Sequence, residues 1–351
     1  MKQINQEVIA KELNLSKATV SRCFTNHPGI NPRTRARVFE LASRLGYHHM
    51  STRTPKNRKK NVNRSIGVLI CTDEEEYYRK DYDSPGRIIM KGISEYCQLG
   101  KLNISVHFVD PTVTSVEDSA YDDILSTIGR NWSGLLLMYP FPSSVTDKLL
   151  VQYPCVSLVE QRGAGPLDCV DVDHYQGMSL IINSLKDLGH RRISFYSKMY
   201  KVEASWSMRR CGAFFEKMIQ QGLPIKQADL INAYPSQMVS LEDSFDLAAS
   251  KVKEGVTAFV CAADHQAYDL IRALRMRGIR VPEDVTVTGF DGIDAPEDIP
   301  NLSTVQIPYH QIGYTSAKRL DDLMTKRFGP TQHILLGCRF NAGNTMATPG
   351  H

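Results

Sequence analysis

Between residues 16 and 26 the chain reads Ser-Lys-Ala-Thr-Val-Ser-Arg-Cys-Phe-Thr-Asn. On a short helix this run turns Lys17, Ala18 and Arg22 outward. Arg22 can bond guanine through two parallel hydrogen bonds, Lys17 can reach the same acceptors as a point charge, and Ala18 can touch a thymine methyl. Short polar groups surround them. Asn5, Ser16, Thr19, Ser21 and Asn26 suit phosphate contacts, which set register without reading sequence. This is the chemistry of reading duplex DNA. The chain offers no comparable set for catalysis: Gly-x-Gly-x-x-Gly, Gly-x-Ser-x-Gly, His-Glu-x-x-His and a Walker A run are all missing from it. No metal site or cofactor is expected, and no enzyme activity.

The surrounding elements must present that helix. Asn5 can cap a helix containing Val8, Ile9 and Leu13, and Asn14-Leu15 breaks it. Ser16 caps a second helix, Lys17 to about Thr25, with Val20 and Phe24 inward. Asn31 and Pro32 start a third, whose buried side is Ala36, Val38, Phe39, Leu41, Ala42 and Leu45, with Gly46 ending it. Two short helices joined by a tight turn, backed by a third, form a helix-turn-helix unit.

Charge points the same way. Residues 1–64 hold 14 Lys/Arg against Glu7, Glu12 and Glu40, while the remaining 28 Lys/Arg face 35 Asp/Glu. A strongly basic head on an acidic body is the footprint of a polyanion-binding tip. With 351 residues, 42% of them apolar, the chain can bury more than one core. No apolar run is long enough to span a membrane, and the first 20 residues show no secretory pattern. The eight cysteines, with no Cys-x-x-Cys among them, read as reduced thiols of a cytoplasmic protein.

After a basic connector, residues 51–64, short apolar runs alternate with amphipathic stretches. Strands are expected at 66–71, 104–109, 134–138, 155–159, 193–196, 258–261 and 285–290. Alternating β and α implies parallel sheets covered on both faces. Two doubly wound α/β sheets, below an all-α head, are the expected fold class. Ligands of such sheets bind beyond the carboxyl ends of strands. Those ends carry Asp73, Tyr139, Ser197, Asp264 and Asp291, of which Asp264 reads as a helix cap.

The run IAKELNLSKATVSRCFTNHPGINPRTRARVFELASRLGY resembles the DNA-binding head of the LacI-type (lactose repressor) family of transcription regulators. More loosely, IGVLI, LKDLGHRRISFYS, Arg209-x-x-Gly212 and DHQAYDLIRALRMRGIRVPEDVTVTGFDG resemble that family's effector domain, which is shared with periplasmic sugar-binding proteins. The resemblance implies a repressor acting as a homodimer on a near-palindromic double-stranded operator, modulated by a small molecule, most often a sugar, in a cleft between two subdomains. A solute-binding receptor with the same body is the alternative, and residues 5–47 oppose it.

The implied organisation is a head, 1–50; a linker, 51–64; a body, 65–340, and a tail, 347–351. The body's N-subdomain takes about 65–172 plus 305–328, and its C-subdomain about 173–304 plus 329–346. Carried over by motif, Arg209 and Asp291 bind effector. Trp206 is placed to stack on a sugar face, and Asp73 is a further ligand candidate. The linker departs from the family pattern, which wedges a leucine into the minor groove. Lys56 stands at that position and Pro55 opposes a helix through it, so contact falls to Arg53 and Arg58 on phosphates or in the minor groove.

Overall fold

The computed structural model describes residues 5–25, 27, 29–45, 47, 64–72, 77–78, 84–161, 166–199, 205–234, 238–299, 301–325 and 331–350. Asn26, Gly46, Arg53, Lys56, Arg58 and Asp73 lie outside them. The described residues cluster into two units. One holds the residues up to 78, 84–171 and 309–334; the other holds 172–308 and 335–350.

The first unit begins with three helices, α1 (Gln6–Glu12), α2 (Lys17–Phe24) and α3 (Pro32–Arg44). Local chemistry sets their starts. The Asn5 carboxamide accepts from the Glu7 and Val8 amides at 2.9 and 3.2 Å, and Ser16 Oγ accepts from the Thr19 amide at 3.0 Å. Asn31 Oδ1 accepts from the Arg33 amide at 2.8 Å, ahead of Pro32. Their shared core is Ile9, Ala10, Val20, Cys23, Val38, Leu41 and Ala42. Cys23 is fully buried with Val20, while Phe24, expected inward, is half-buried against Phe39 and Tyr47 at 5.6 and 5.4 Å between ring centroids.

The rest of that unit comprises β1 (Ser65–Cys71), α4 (Pro85–Gly100), β2 (Asn103–Val109), β3 (Trp132–Met138), α5 (Ser143–Gln152), β4 (Cys155–Leu158) and β5 (Asp168–Val172). Its sheet runs β10-β5-β4-β3-β1-β2, with β10 (His333–Leu336) reached through α10 (Tyr309–Met324). The pairings from β2 through β5 are parallel. α4 and α10 cross backbone against backbone: a Cβ on Gly92 would lie 1.9 Å from the His310 carbonyl oxygen, and one on Gly313 2.0 Å from that of Ile89.

The second unit contains α6 (His174–Asp187), β6 (Ile193–Tyr196), α7 (Ser205–Gln220), α8 (Leu241–Lys253), β7 (Ala258–Cys261), α9 (Asp264–Met276), β8 (Thr286–Asp291), β9 (Ser303–Gln306) and β11 (Arg339–Asn341). Its sheet order is β11-β9-β8-β7-β6. β6 through β9 pair in parallel; β11 joins β9 antiparallel, so this sheet carries one reversed edge. Because β9 remains hydrogen-bonded to β8, the chain passes to the first unit only at 309. All eight cysteines are free and buried.

β5 does not announce itself as an apolar run, because it reads Asp-Cys-Val-Asp-Val with every residue buried. Asp168 is tolerated there because Arg319 Nε on α10 donates to it at 2.8 Å and the Gln332 amide at 3.0 Å. No helix of the described residues is long and apolar enough to cross a membrane.

Candidate functional site

Two groups of side chains stand out. The first lies on α2. Its buried stripe, Val20 and Cys23, faces the head core, which leaves Lys17, Ala18 and Arg22 exposed. Arg22 makes no ion pair with another described side chain. Lys17 Nζ pairs with Glu7 Oε1 of α1 at 2.6 Å, and this holds the Glu7 carboxyl below its ordinary range. Both partners are more than half exposed, so the pair is easily exchanged for another anion. Asn5, Ser16 and Thr19 are occupied in capping; Ser16 and Thr19 also share a 2.8 Å hydroxyl–hydroxyl bond. Ser21 is half-buried.

The second group lies in the second unit at the carboxyl ends of β7 and β8. Asp291 closes β8, and its Oδ1 is 3.2 Å from Arg210 Nη1, with both residues about 95% buried. Arg210 Nη1 also donates to the carbonyl oxygens of Ala262 and Phe290. Its guanidinium lies over the Trp206 ring at 4.7 Å and the Phe290 ring at 4.2 Å, and Nε points to His174 Nδ1 at 3.4 Å. Stacking between two aromatic faces and pairing with a carboxylate together hold a buried cation in one orientation.

Trp206 therefore packs on a cation in this structure. Arg209, the residue carried over by motif, is half-buried next to Arg210 in sequence, and its buried Nε has no hydrogen-bond partner among the described residues. Arg210 was not singled out by motif. The signal that finds it is the 3.6-residue spacing of Ser207, Arg210, Cys211, Phe214 and Met218 along the buried side of α7.

Asp264 behaves differently from the expected helix cap. Ala263 occupies the cap position, and Asp264 begins α9 itself. Its Oδ2 accepts from the amides of Gly292 and Ile293 at 2.8 and 3.0 Å, and Thr304 Oγ1 donates to its Oδ1. It pins the turn after β8 and so supports Asp291, whose Oδ2 accepts from the Asp264 amide at 3.3 Å. Burial, and then the Asp291 charge, push the Asp264 carboxyl up to about 7, against the opposing effect of its three hydrogen bonds.

A raised carboxyl favours the folded state at low pH and loses that advantage as pH rises from the unfolded value of 3.8 through about 7. The melting temperature is expected to fall between about pH 5 and pH 8, and Asp264→Asn to flatten that slope. Melting curves across the range check this; an equal slope in the variant assigns the effect elsewhere. Among the described residues no group of three His, Cys, Asp or Glu side chains is gathered as metal ligands would be.

A helix-turn-helix head with one exposed helix face, joined in one chain to two parallel-sheet units, the second of which gathers buried polar groups at its strand ends, is the layout of a two-part regulatory protein. Residues 7–49 match the family model described as bacterial regulatory proteins, lacI family, and residues 182–346 match a periplasmic binding protein-like domain. The chain is thus similar to the lacI family of bacterial regulatory proteins at its head and to a periplasmic binding protein-like domain in its body. It is 24% identical over 327 residues to catabolite control protein A of Priestia megaterium, covering 91% of this chain and 92% of the relative.

The fold is similar to that of the lac repressor dimer bound to operator and the anti-inducer ONPF. There the TM-score is 0.64 at 20% identity, with 99% of this chain and 100% of the other covered. It is also similar to a LacI family transcriptional regulator from Enterococcus faecium with bound ribose, with a TM-score of 0.63 at 22% identity over 81% of this chain and 99% of that one.

Proposed function

We propose that the protein is a cytoplasmic transcriptional repressor that acts as a homodimer on a near-palindromic operator and whose affinity for it is modulated by a small sugar. The observation that carries the DNA-binding half is the exposed set Lys17, Ala18 and Arg22 on a helix whose opposite side is fully buried. Two such heads on a two-fold axis suit successive major grooves. The effector half rests on the strand-end cluster around Arg210 and Asp291. Charged groups fixed by neighbours at such positions recognise hydroxyl-rich ligands through directed hydrogen bonds. The solved relatives with bound ribose and operator support the same division of labour. The reading assigns no catalytic residue. An effector acts by preferring one conformation over another, which needs only differential affinity.

Arg22→Ala is expected to weaken binding to the preferred duplex by about 1–3 kcal/mol, and binding to random duplex much less. Selection of bound sequences from a random pool, followed by titration of both duplexes, measures this. Equal loss on both makes Arg22 a phosphate contact. For the effector, thermal melting of the full chain against a panel of monosaccharides, disaccharides and nucleosides should show a raised midpoint with at least one sugar. A flat response to every sugar, with a shift for a nucleoside, replaces the sugar reading.

A further inference from the structure

The head is packed against the rest of its unit. α3 carries two buried faces. Val38, Leu41 and Ala42 close the head's own core. A second face lies on α4 and β2 and holds two ionisable residues, Arg35 at 0% and Glu40 at 4% exposure. Glu40 Oε1 accepts from the hydroxyl of Tyr77 at 3.2 Å, and Tyr77 itself is 2% exposed, edge-on to Phe108 of β2 at 4.9 Å. Arg35 Nη2 donates to the His27 carbonyl oxygen at 2.8 Å, inside the head, but its Nε and Nη1 are buried with no hydrogen-bond partner among the described residues.

Burial of this kind is costly. A guanidinium removed from water is compensated only when its donors are satisfied and a counter-charge is close. The seam is also incompletely filled. A half-open cavity of about 160 Å³ lies in it, bordered by Leu13, Arg37 and Glu40 of the head and Tyr78 and Arg87 of the body. A contact that buries an under-satisfied cation along a partly empty, polar seam is built to separate.

We propose that this contact is a latch. In the DNA-free protein α3 holds the head on α4 and β2, and duplex DNA releases it. The proposal rests on the DNA-binding reading for the releasing agent, but the latch itself is a property of the chain. Release returns Arg35 to solvent beside the exposed Arg33 and Arg37 of the same helix. A polyanion favours the state that presents the most cations, so the released head binds more tightly than the docked one. Docking then lowers the apparent DNA affinity by the fraction of heads held closed.

Tyr77→Phe tests this from the body side, leaving the head unaltered. The substitution removes the hydroxyl that bonds Glu40 and keeps the ring on Phe108. Hydroxyl-radical footprinting of the full chain reads the shielding of Phe108, and titration with mixed-sequence duplex in low salt reads affinity. In the wild type, saturating duplex should raise labelling of Tyr77 and Phe108. In Tyr77→Phe, labelling of Phe108 should already be raised without DNA, and duplex affinity should increase by up to about tenfold.

Duplex that binds the wild type while labelling stays unchanged overturns the latch. So does a variant whose DNA-free labelling equals the wild type's. If no duplex binds either protein, the DNA-binding reading fails, and the DNA-free comparison of Phe108 still decides the latch. Arg35→Met gives the opposite arm. A neutral side chain of similar length should tighten the seam and lower Phe108 labelling in the DNA-free chain, and higher labelling there overturns the role of the buried charge.

Discussion

Asp291→Ala is expected to abolish the response to effector and to destabilise the second unit by about 3–5 kcal/mol. Two consequences combine. Asp291 is the carboxylate that Arg210 Nη1 reaches at 3.2 Å, and both groups are almost wholly buried. Removing it leaves the guanidinium in low dielectric without that counter-charge. The aromatic rings of Trp206 and Phe290 on its faces offset only part of the loss. It also frees the Asp264 amide that Asp291 accepts from, and so loosens the turn after β8.

Asp291→Asn separates folding from recognition. It keeps the shape and one acceptor oxygen, so the unit should fold, but the cation is no longer neutralised. Thermal melting gives stability, and duplex titration with and without the sugar found in the panel gives the response. A folded Asp291→Asn protein that still responds in full removes this cluster from the effector site. The DNA-binding head has its own core, and duplex affinity without effector should stay within a few-fold of the wild type in that variant.

Gly313→Ala should cost several kcal/mol of stability, whereas an alanine replacing glycine on an exposed helix gains up to about 1 kcal/mol. The sign reverses because of what α10 lies against. The new Cβ would sit 2.0 Å from the carbonyl oxygen of Ile89 in α4, and the reciprocal position, Gly92, is as close to His310. Backbone cannot retreat as a flexible side chain can. The two helices must separate, which would also strain the Arg319–Asp168 pair that ties α10 to β5. Urea unfolding followed by circular dichroism measures the change. A midpoint equal to the wild type's would show that the crossing yields at little cost.

These effects differ in how readily they are read from residue order. The caps of α1 and α2 depend on partners two or three positions away, and Asn5 and Ser16 form them as the local pattern implies. The stripe of Val20 and Cys23 follows from helical spacing, and with it the exposure of Arg22. β1 and β3 are legible because a strand buried on both faces must be apolar almost throughout. β5 and β11 escape that rule. The two aspartates of β5 are buried, Asp168 being bonded to a residue 151 positions on, and β11 alternates between exposed and half-buried residues at a sheet edge.

Arg209 and Arg210 are neighbours of one type, and no local rule separates them. The choice between them is made by where Asp291, 81 residues later, arrives on β8. Arg35 and Glu40 likewise look like solvent-facing residues of a basic helix until β2 and α4 cover them.

Sequence alone therefore determined the helix-turn-helix head, its basic charge, the α/β alternation of the body and the outward side of α2. Each of these is governed by periodicity, capping or composition within one element. Tertiary structure decided which arginine meets Asp291, why the Asp264 carboxyl is pushed up, where two helices demand glycine and which face of α3 is lost to solvent. Those outcomes depend on the electrostatics and sterics of groups brought together from distant parts of the chain, and burial alters the energy of a charge only after the fold has placed its neighbours.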